Sequence, residues 1–217
     1  MEITVRTSLG PGRLVVAEAE VPVAVLWLGH GAGGGIGAAD LAAIAARLPG
    51  QGVTVARYEQ PWRVAGKRVA SRPEQLDTAW RETAPAVHEL AGDLPLFTGG
   101  RSAGARVACR TAADTGSAGV VCLAFPLHPP GRPESSRRDE LLTPTVPVLV
   151  VQGDRDTFGG AELVATEAAD RPNIRVVPVP GADHGMKTLK SSALDAHDVA
   201  GLVTSAVTHF IRDVVAP

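Results

Sequence analysis

The chain has 217 residues, of which 45% are hydrophobic, and this length predicts one globular domain over residues 1–217. Its 21 basic and 23 acidic side chains give a formal net charge of −2, which argues against a nucleic-acid-binding protein and against a highly charged disordered chain. The apolar run at residues 21–28 is too short to span a membrane, and residues 1–6 do not resemble a signal peptide, so we expect a cytoplasmic protein without a membrane partner.

Eight short apolar runs predict β-strands. The first two flank a Gly-Pro-Gly turn at residues 10–12, which is typical of a β-hairpin. The later runs are continuously apolar, as expected for parallel strands that are covered on both faces. In chain order the predicted strands are residues 3–7, 14–19, 23–28, 53–58, 94–98, 119–125, 148–152 and 174–179.

Helical periodicity fills most of the gaps between these strands. Apolar residues recur with helical spacing in residues 41–48, 73–90 and 199–211, and two further helices are predicted to begin at Ser102 and to cover residues 160–169. We expect Pro85 to kink or interrupt the second helix. The alternation predicts an α/β protein with a mostly parallel eight-stranded sheet and helices on both faces. The irregular stretches 59–72 and 126–147 have the length of functional loops.

The strongest chemical signal is the segment G-R-S-A-G at residues 100–104. It matches the pattern G-x-S-x-G between a predicted strand and a predicted helix, which is the context of a nucleophile elbow. The small residues two positions before and after Ser102 leave room for a strained turn. The helix N-terminus adds partial positive charge where an oxyanion forms. We therefore predict that Ser102 is a nucleophile and that the N–H of Ala103 stabilises an oxyanion.

A serine hydroxyl needs a base, and His184 is the preferred candidate. His184 follows the last predicted strand, so it belongs to the same sheet edge as Ser102, where ligands gather in open α/β sheets. His30 and His128 lie in loops at that edge and are second candidates. The other histidines, at positions 88, 197 and 209, fall on predicted helices and are more typical of surface or core positions.

The third member of a triad is a carboxylate that orients the histidine. Asp154 and Asp156 both follow the predicted strand 148–152. We choose Asp156, because a carboxylate a few residues beyond the strand can reach the next loop, and we expect Asp154 to shape the turn. The resulting order Ser102, Asp156, His184 is the order serine, acid, histidine of α/β-hydrolases.

A glycine-rich turn follows the predicted strand 23–28. Its Ala32 N–H, or that of Gly33, would complete the oxyanion hole with Ala103. A nucleotide-binding loop is the rival interpretation, but the segment lacks the spacing G-x-G-x-x-G and lacks G-K-S/T. Cys109 and Cys122 lie in apolar runs without the spacing of metal ligands, so we expect buried reduced thiols and no metal site.

Together these segments resemble the α/β-hydrolase superfamily, in particular its small, lidless, dienelactone-hydrolase-like branch. The motifs that carry the resemblance are H-G-A-G-G at 30–34, G-G-R-S-A-G at 99–104, F-P-L-H-P-P-G at 125–131, Q-G-D-R-D at 152–156 and D-H at 183–184. The resemblance runs from about residue 23 to the C-terminus. It implies an α/β-hydrolase fold without a large lid domain, a Ser-His-Asp hydrolase of an ester or related acyl bond, and no cofactor. Dienelactone hydrolases proper use cysteine as the nucleophile, whereas this chain has Ser102.

The expected substrate is a small acyl compound, because only about 20 residues separate the predicted strands at 119–125 and 148–152. His30, Arg101, His128 and Pro129 are candidate lining residues, although Arg101 is expected mainly to hold its loop. Basic residues gather at positions 63–72 and 132–138, where we favour solvated loops over an anion site. Acyl transfer or perhydrolysis by the same triad, and a non-catalytic binding or scaffold protein, are the alternatives.

Overall fold

The protein is built on one eight-stranded sheet, seen in a computed structural model that describes residues 1–216. The order across the sheet is β1-β2-β4-β3-β5-β6-β7-β8. β1 and β2 form a hairpin as predicted, but its turn lies at residues 8–9, and the Gly-Pro-Gly segment 10–12 belongs to β2. β2 pairs antiparallel with β4, and all other neighbours are parallel. The strands are β1 Glu2–Thr7, β2 Gly10–Ala17, β3 Ala24–Gly29, β4 Val53–Glu59, β5 Leu96–Arg101, β6 Gly119–Leu123, β7 Val148–Gly153 and β8 Ile174–Val179.

Helices cover both faces of this sheet. They are α1 Ala39–Arg47, α2 Pro61–Val64, α3 Pro73–Ala91, α4 Ala103–Thr111, α5 Arg138–Leu142, α6 Ala161–Glu167 and α7 Ala196–Val215. α1 and α7 pack on one face, and α3, α4 and α6 pack on the other. The predicted fold class, a mostly parallel eight-stranded α/β sheet with helices on both faces, is therefore confirmed.

The central strands are apolar on both sides because both sides are buried. In β3, Leu26 and Leu28 face α1 and α7, while Val25 and Trp27 face α3. Trp27 stacks on Trp80 of α3 with ring centroids 3.6 Å apart. This two-sided burial explains why these strands read as continuous apolar runs.

Two loops contain structure that the periodicity does not predict. α2 lies in the stretch 59–72, and α5, of five residues, is the only helix between β6 and β7 within the described chain. The absence of a large lid domain is thus confirmed. Over residues 1–216, no helix is both long enough and apolar enough to cross a membrane.

α3 runs through Pro85 without a break, so of the two effects expected of this proline, interruption does not occur. Its ring removes the hydrogen bond to the carbonyl of Arg81, but Pro85 and Arg81 are both exposed, so water can bond that carbonyl. The buried stripe of Leu76, Trp80 and Val87 holds the helix against the sheet on the other side. Packing therefore outweighs the proline at this position.

Candidate active site

Ser102 occupies a strained turn between β5 and α4. Its backbone has φ 52° and ψ −111°, a conformation that residues other than glycine rarely adopt. Holding a residue in such a conformation costs of order 1–3 kcal/mol. The N–H of Ser102 donates to the carbonyl of Leu123 at the end of β6, over 2.9 Å. A Cβ on Gly104 would lie 2.5 Å from the carbonyl oxygen of Gly29, so only glycine allows α4 to approach β3 this closely. The predicted sharp strand-to-helix turn is present.

Three side chains from separate strands meet at the carboxyl edge of the sheet. Ser102 follows β5, Asp156 follows β7 and His184 follows β8. The Oγ of Ser102 is 3.0 Å from Nε2 of His184, and Nδ1 of His184 is 2.8 Å from Oδ2 of Asp156. Because a carboxylate only accepts, Nδ1 carries the proton, and Nε2 of the neutral ring accepts from the serine hydroxyl.

The carboxylate of Asp156 is fully buried and is held from several sides. Its Oδ1 accepts from the N–H of Phe158 over 2.8 Å, and its Oδ2 also accepts from Nε2 of Gln152 over 3.0 Å. Asp154 instead accepts from the N–H of Gly181 over 2.8 Å and ties the β7 loop to the β8 loop. Of the two candidate aspartates, only Asp156 contacts His184.

The loop that carries His184 is fixed through Arg101. One guanidinium nitrogen of Arg101 donates to the carbonyl oxygen of His184 over 2.5 Å, and another pairs with Asp40 of α1 over 2.7 Å. The ring of Phe158 stacks on the imidazole with centroids 4.1 Å apart. Arg101 therefore ties the histidine loop to α1, which agrees with the expectation that its side chain holds a loop.

The glycine-rich turn after β3 presents free amide groups. The N–H of Gly34 donates to the carbonyl of Gly31, so Ala32 and Gly33 occupy the middle of a tight turn. Among residues 1–216, no backbone or side-chain group accepts a hydrogen bond from the N–H of Ala32, Gly33 or Ala103. All three residues line the cleft that contains Ser102, as an oxyanion hole requires.

This cleft is open and has a volume of about 560 Å³. Arg106 and Arg137 form part of its wall. Arg106 pairs with Glu140 over 2.6 Å, whereas Arg137 donates to the carbonyl of Pro126 over 2.8 Å. Burial, and then the positive charge of Arg106, lower the pKa of Arg137. The cleft wall is thus cationic on this side, and Arg137 is not simply part of a solvated loop.

His30, His128 and Pro129 do not line the cleft, which corrects the expectation for these three residues. His30 is buried: its Nδ1 is 2.9 Å from the carbonyl oxygen of Gly31, and its Nε2 accepts from the N–H of Gln60 over 3.2 Å. Burial lowers the pKa of His30. His128 bonds to the carbonyl of Pro129 and borders a separate depression near α5. Both histidines follow a strand at the correct edge, but neither turns toward Ser102.

Three supporting residues have no clear signal in the sequence. Gln152, Phe158 and Asp40 support the Asp156–His184–Arg101 arrangement through contacts between distant segments. Only Gln152 leaves a trace, as a polar residue that ends an otherwise apolar strand. The other two acquire their roles only when the chain has folded.

The cysteines and the acidic and imidazole side chains do not form a metal site in the described chain. Over residues 1–216, no cluster of three or more His, Cys, Asp or Glu side chains is arranged to hold a metal ion. Cys109 and Cys122 are buried and free, with their sulfur atoms 3.4 Å apart. The hydrogen bond from Cys109, together with burial, raises the pKa of Cys122 well above its ordinary value. These thiols belong to the core between α4 and β6.

A doubly wound sheet with serine, histidine and aspartate in contact at its carboxyl edge is the architecture of an α/β-hydrolase. The chain belongs to the α/β hydrolase domain family, whose model matches residues 22–212. The superfamily resemblance noted in the sequence is thereby confirmed.

Several solved structures share the whole fold. An α/β serine hydrolase without a lid from Xanthomonas campestris is 22% identical, with a TM-score of 0.74 over 97% of this chain and 94% of that chain. Est1E from Butyrivibrio proteoclasticus, solved with ferulic acid bound, is 17% identical, with a TM-score of 0.80 over 99% and 100% of the two chains. The esterase domain of a Rhodothermus marinus protein is 18% identical, with a TM-score of 0.69 over 100% and 99%. At these identities the likeness concerns the fold.

Proposed function

We propose that this protein is a serine hydrolase that cleaves a carboxylic ester or a related acyl bond of a small substrate through an acyl-enzyme at Ser102. The observation that carries the proposal is the continuous hydrogen-bond chain from Ser102 through His184 to Asp156, with heavy-atom distances of 3.0 Å and 2.8 Å. These distances are those of an activated nucleophile, its base and the group that orients the base. Family membership and the esterase among its structural neighbours support the same class of reaction.

In the first half-reaction, Nε2 of His184 takes the proton of Ser102 as Oγ attacks the acyl carbon. The carbonyl electron pair moves onto oxygen, and the N–H groups of Ala103 and of Ala32 or Gly33 hold that oxyanion. Each such donor contributes on the order of 3 kcal/mol to transition-state stabilisation. As the bond to the leaving group breaks, His184 gives its proton to the leaving oxygen, and Asp156 stabilises the transient imidazolium.

In the second half-reaction, water takes the place of the leaving group. His184 accepts one proton from water, the hydroxide oxygen attacks the acyl carbon, and the bond to Oγ breaks as His184 returns the proton to Ser102. The products are a carboxylic acid and the free leaving group. An open cleft of about 560 Å³ admits a small substrate without a lid movement.

The deciding experiment is labelling with a fluorophosphonate probe, read by intact mass on the wild type and on Ser102→Ala. We expect one adduct on the wild type and none on the variant, because only an activated serine reacts with the probe. A screen of short-chain esters and lactones then identifies substrates, and product analysis with added alcohol or peroxide separates hydrolysis from acyl transfer. A folded wild type that neither labels nor turns over any acyl substrate would refute the proposal.

A further inference from the structure

A second, largely apolar cavity lies next to the catalytic cleft. It has a volume of about 450 Å³ and is enclosed by α1, α7 and the loop between β8 and α7. Met186, Val199 and Val203 form buried parts of its wall, and Leu189, which is 54% exposed, adds an apolar side chain to its lining. The size falls within the range of small-molecule sites.

Three of the polar residues that line this cavity already have hydrogen-bond partners within the protein. Asp40 pairs with Arg101, and Asp195 caps α7 by accepting from two backbone N–H groups. The hydroxyl of Thr188 donates to the carbonyl of Leu194. A ligand that enters the cavity therefore gains from burying apolar surface rather than from new hydrogen bonds to these groups.

The cavity adjoins the catalytic cleft directly. Ala39, Gly185 and Lys187 line both spaces. Gly185 immediately follows His184, so the shared border lies on the histidine side of Ser102. A substrate held at Ser102 can extend across this border into the cavity.

The position of this border next to His184 indicates whether the cavity receives the acyl part or the alcohol part of an ester. His184 must deliver its proton to the leaving oxygen, so the leaving group departs on the histidine side. If the oxyanion lies at the N–H groups of Ala103 and of Ala32 or Gly33, the part of the cleft lined by Pro126 and Arg137 is left for the acyl substituent. The space beyond Gly185 is thus available to the leaving alcohol.

We infer that the cavity beside α7 binds the leaving alcohol of the substrate, and that the preferred substrates are esters of unbranched, apolar alcohols longer than ethanol. This inference rests on the proposed hydrolase function and specifies its substrate class. The cavity would act as a specificity pocket, in which each added methylene of the alcohol leaves water and lowers the energy of the bound transition state.

The test compares two ester series on the wild type. In the first, acetate esters run from methyl through butyl to octyl; in the second, methyl esters run from acetate through hexanoate to decanoate. We expect kcat/KM to rise about fourfold for each methylene of the alcohol that enters the cavity. We expect a much weaker dependence on acyl length. The corresponding free alcohols should also slow fluorophosphonate labelling of Ser102, with protection that strengthens with chain length.

Variants that fill the cavity make the test specific. Ala200→Phe and Ala196→Phe place a ring in the cavity from α7, and Ser205→Phe places the same ring on an exposed position of that helix outside the cavity. Ala196 is itself exposed, so its variant tolerates the ring even if Ala200→Phe fails to fold. In the filling variants, kcat/KM for octyl acetate should no longer exceed kcat/KM for methyl acetate, and octanol should no longer slow fluorophosphonate labelling. Hydrolysis of methyl acetate and the rate of labelling without alcohol should stay at the wild-type values. Ser205→Phe should match the wild type.

The outcomes separate this inference from the function on which it rests. Normal labelling with no dependence on alcohol length and no protection by octanol would overturn the inference alone. Length dependence in the acyl series that disappears in the filling variants would also overturn it, because the cavity would then hold the acyl chain. A wild type that neither labels nor hydrolyses any ester would overturn the proposed function and the inference together.

Discussion

In the proposed mechanism, the reactivity of Ser102 depends on a hydrogen-bond partner rather than on the hydroxyl itself. An alcohol is a poor nucleophile at neutral pH, and the structure gives it one acceptor, Nε2 of His184. The imidazole in turn is oriented by a carboxylate whose side chain is fully buried. Because residues coupled in this manner act together, the loss of any one of them should remove most of the rate enhancement that the three provide.

We therefore expect Ser102→Ala and His184→Ala each to lower kcat by roughly a millionfold, and the double variant to lower it little further. Steady-state kinetics on one ester measures all three, with His209→Ala as the control for an exposed histidine on α7. Losses that multiply in the double variant would contradict a shared step. The residual rate reports what the oxyanion hole and binding contribute without the triad.

His30 should make stability depend on pH. Burial lowers its folded-state pKa below the ordinary value of 6.5, so at pH values between the two the unfolded chain binds more protons than the folded chain. Stability should consequently fall as the pH drops below about 6.5, by at most about 1.4 kcal/mol per pH unit. Urea unfolding at pH 7.5, 6.5 and 5.5 measures this slope.

The variant His30→Gln should have a shallower slope between pH 7.5 and 5.5, since its side chain does not titrate. His209→Gln, which replaces an exposed histidine, should keep the wild-type slope. Equal slopes in wild type and His30→Gln would show that protonation of His30 is not linked to unfolding.

Some residues of the site can be predicted from the sequence and others cannot. Ser102, Asp156 and His184 each follow a predicted strand, and chain order with strand polarity suffices to bring them to one edge. His30 and His128 satisfy the same rule yet turn elsewhere, because a strand end specifies where a residue lies but not where its side chain points. That direction depends on tertiary neighbours such as Gln60, which bonds to His30.

At the scale of elements, the close approach of α4 to β3 determines where Ser102, the proposed nucleophile, lies. A Cβ at position 104 would lie 2.5 Å from both the carbonyl carbon and the oxygen of Gly29. Backbone atoms cannot yield as a flexible side chain can, so α4 would have to move. The glycines of the elbow thus set the position of Ser102 as well as the conformation of its turn.

Gly104→Ala should therefore destabilise the protein by about 1–3 kcal/mol, the usual cost of overpacking, and should slow fluorophosphonate labelling. Gly34→Ala is the matched control for stability, because a Cβ there would have no heavy atom within 4 Å. Urea unfolding of the two variants provides the comparison. A Gly104→Ala protein as stable as Gly34→Ala would mean that α4 can shift without cost.

A partly buried ion network joins α3, α4 and α5. Arg110 donates to Asp77 over 2.6 Å and to Glu140 over 2.7 Å, and Glu140 also accepts from Arg106. Burial opposes ionisation of Glu140, but hydrogen bonds and positive charge from Arg106 and Arg110 outweigh it and lower the pKa of Glu140. The network therefore holds α5, and with it the cationic wall of the cleft, against the elbow helix.

Arg110→Ala should cost about 2–4 kcal/mol, since it leaves two partly buried carboxylates without their shared partner. Arg81→Ala removes an equally short ion pair, 2.6 Å to Asp114, whose side chains are about half exposed, and should cost less than about 1 kcal/mol. Chemical unfolding of both variants measures the difference. Similar losses would show that burial of the network adds nothing to its strength.

The sequence predicts a strand where both faces of the strand are buried, and it predicts a helix where buried residues recur with helical spacing. The parallel strands and α7 follow from their apolar patterns, whereas α2 and α5 are too short to show a period. α3 runs through Pro85 because its buried face carries Leu76, Trp80 and Val87, a tertiary contribution that local propensity does not contain. A prediction from local sequence alone therefore fails where packing of a helix on the sheet outweighs the conformational preference of a single residue.

At the scale of the whole molecule, the site exists only because three loops from β5, β7 and β8 are held in register by one sheet. The histidine loop is the longest of these segments outside regular structure, since it runs from the end of β8 to the start of α7. Several contacts tie this loop to the other segments: His184 bonds to Asp156, Gly181 bonds to Asp154, and Arg101 bonds to both His184 and Asp40. Among these contacts, the Arg101 guanidinium is the one that links the histidine loop to α1.

We accordingly expect the labelling rate at Ser102 and the far-UV circular dichroism of the wild type to fall together in a urea titration. In a double variant, Arg101→Leu with Asp40→Leu, both charges are removed, so no buried ion is left unpaired. Labelling should then decrease about tenfold or more before the circular dichroism changes. That is the loss expected when a charge-assisted hydrogen bond of about 1.5–3 kcal/mol no longer holds the loop.

Arg155→Ala tests whether burial is what makes the Arg101 tie effective. Arg155 also donates to the same loop, at the carbonyl of Gly181 over 3.1 Å, but from an exposed position. Water can replace that bond, so its loss should leave the two urea transitions coincident. If the transitions separate in Arg155→Ala but coincide in the double variant, the loop is held from the β7 side, and Arg101 acts within the site rather than as its link to the fold.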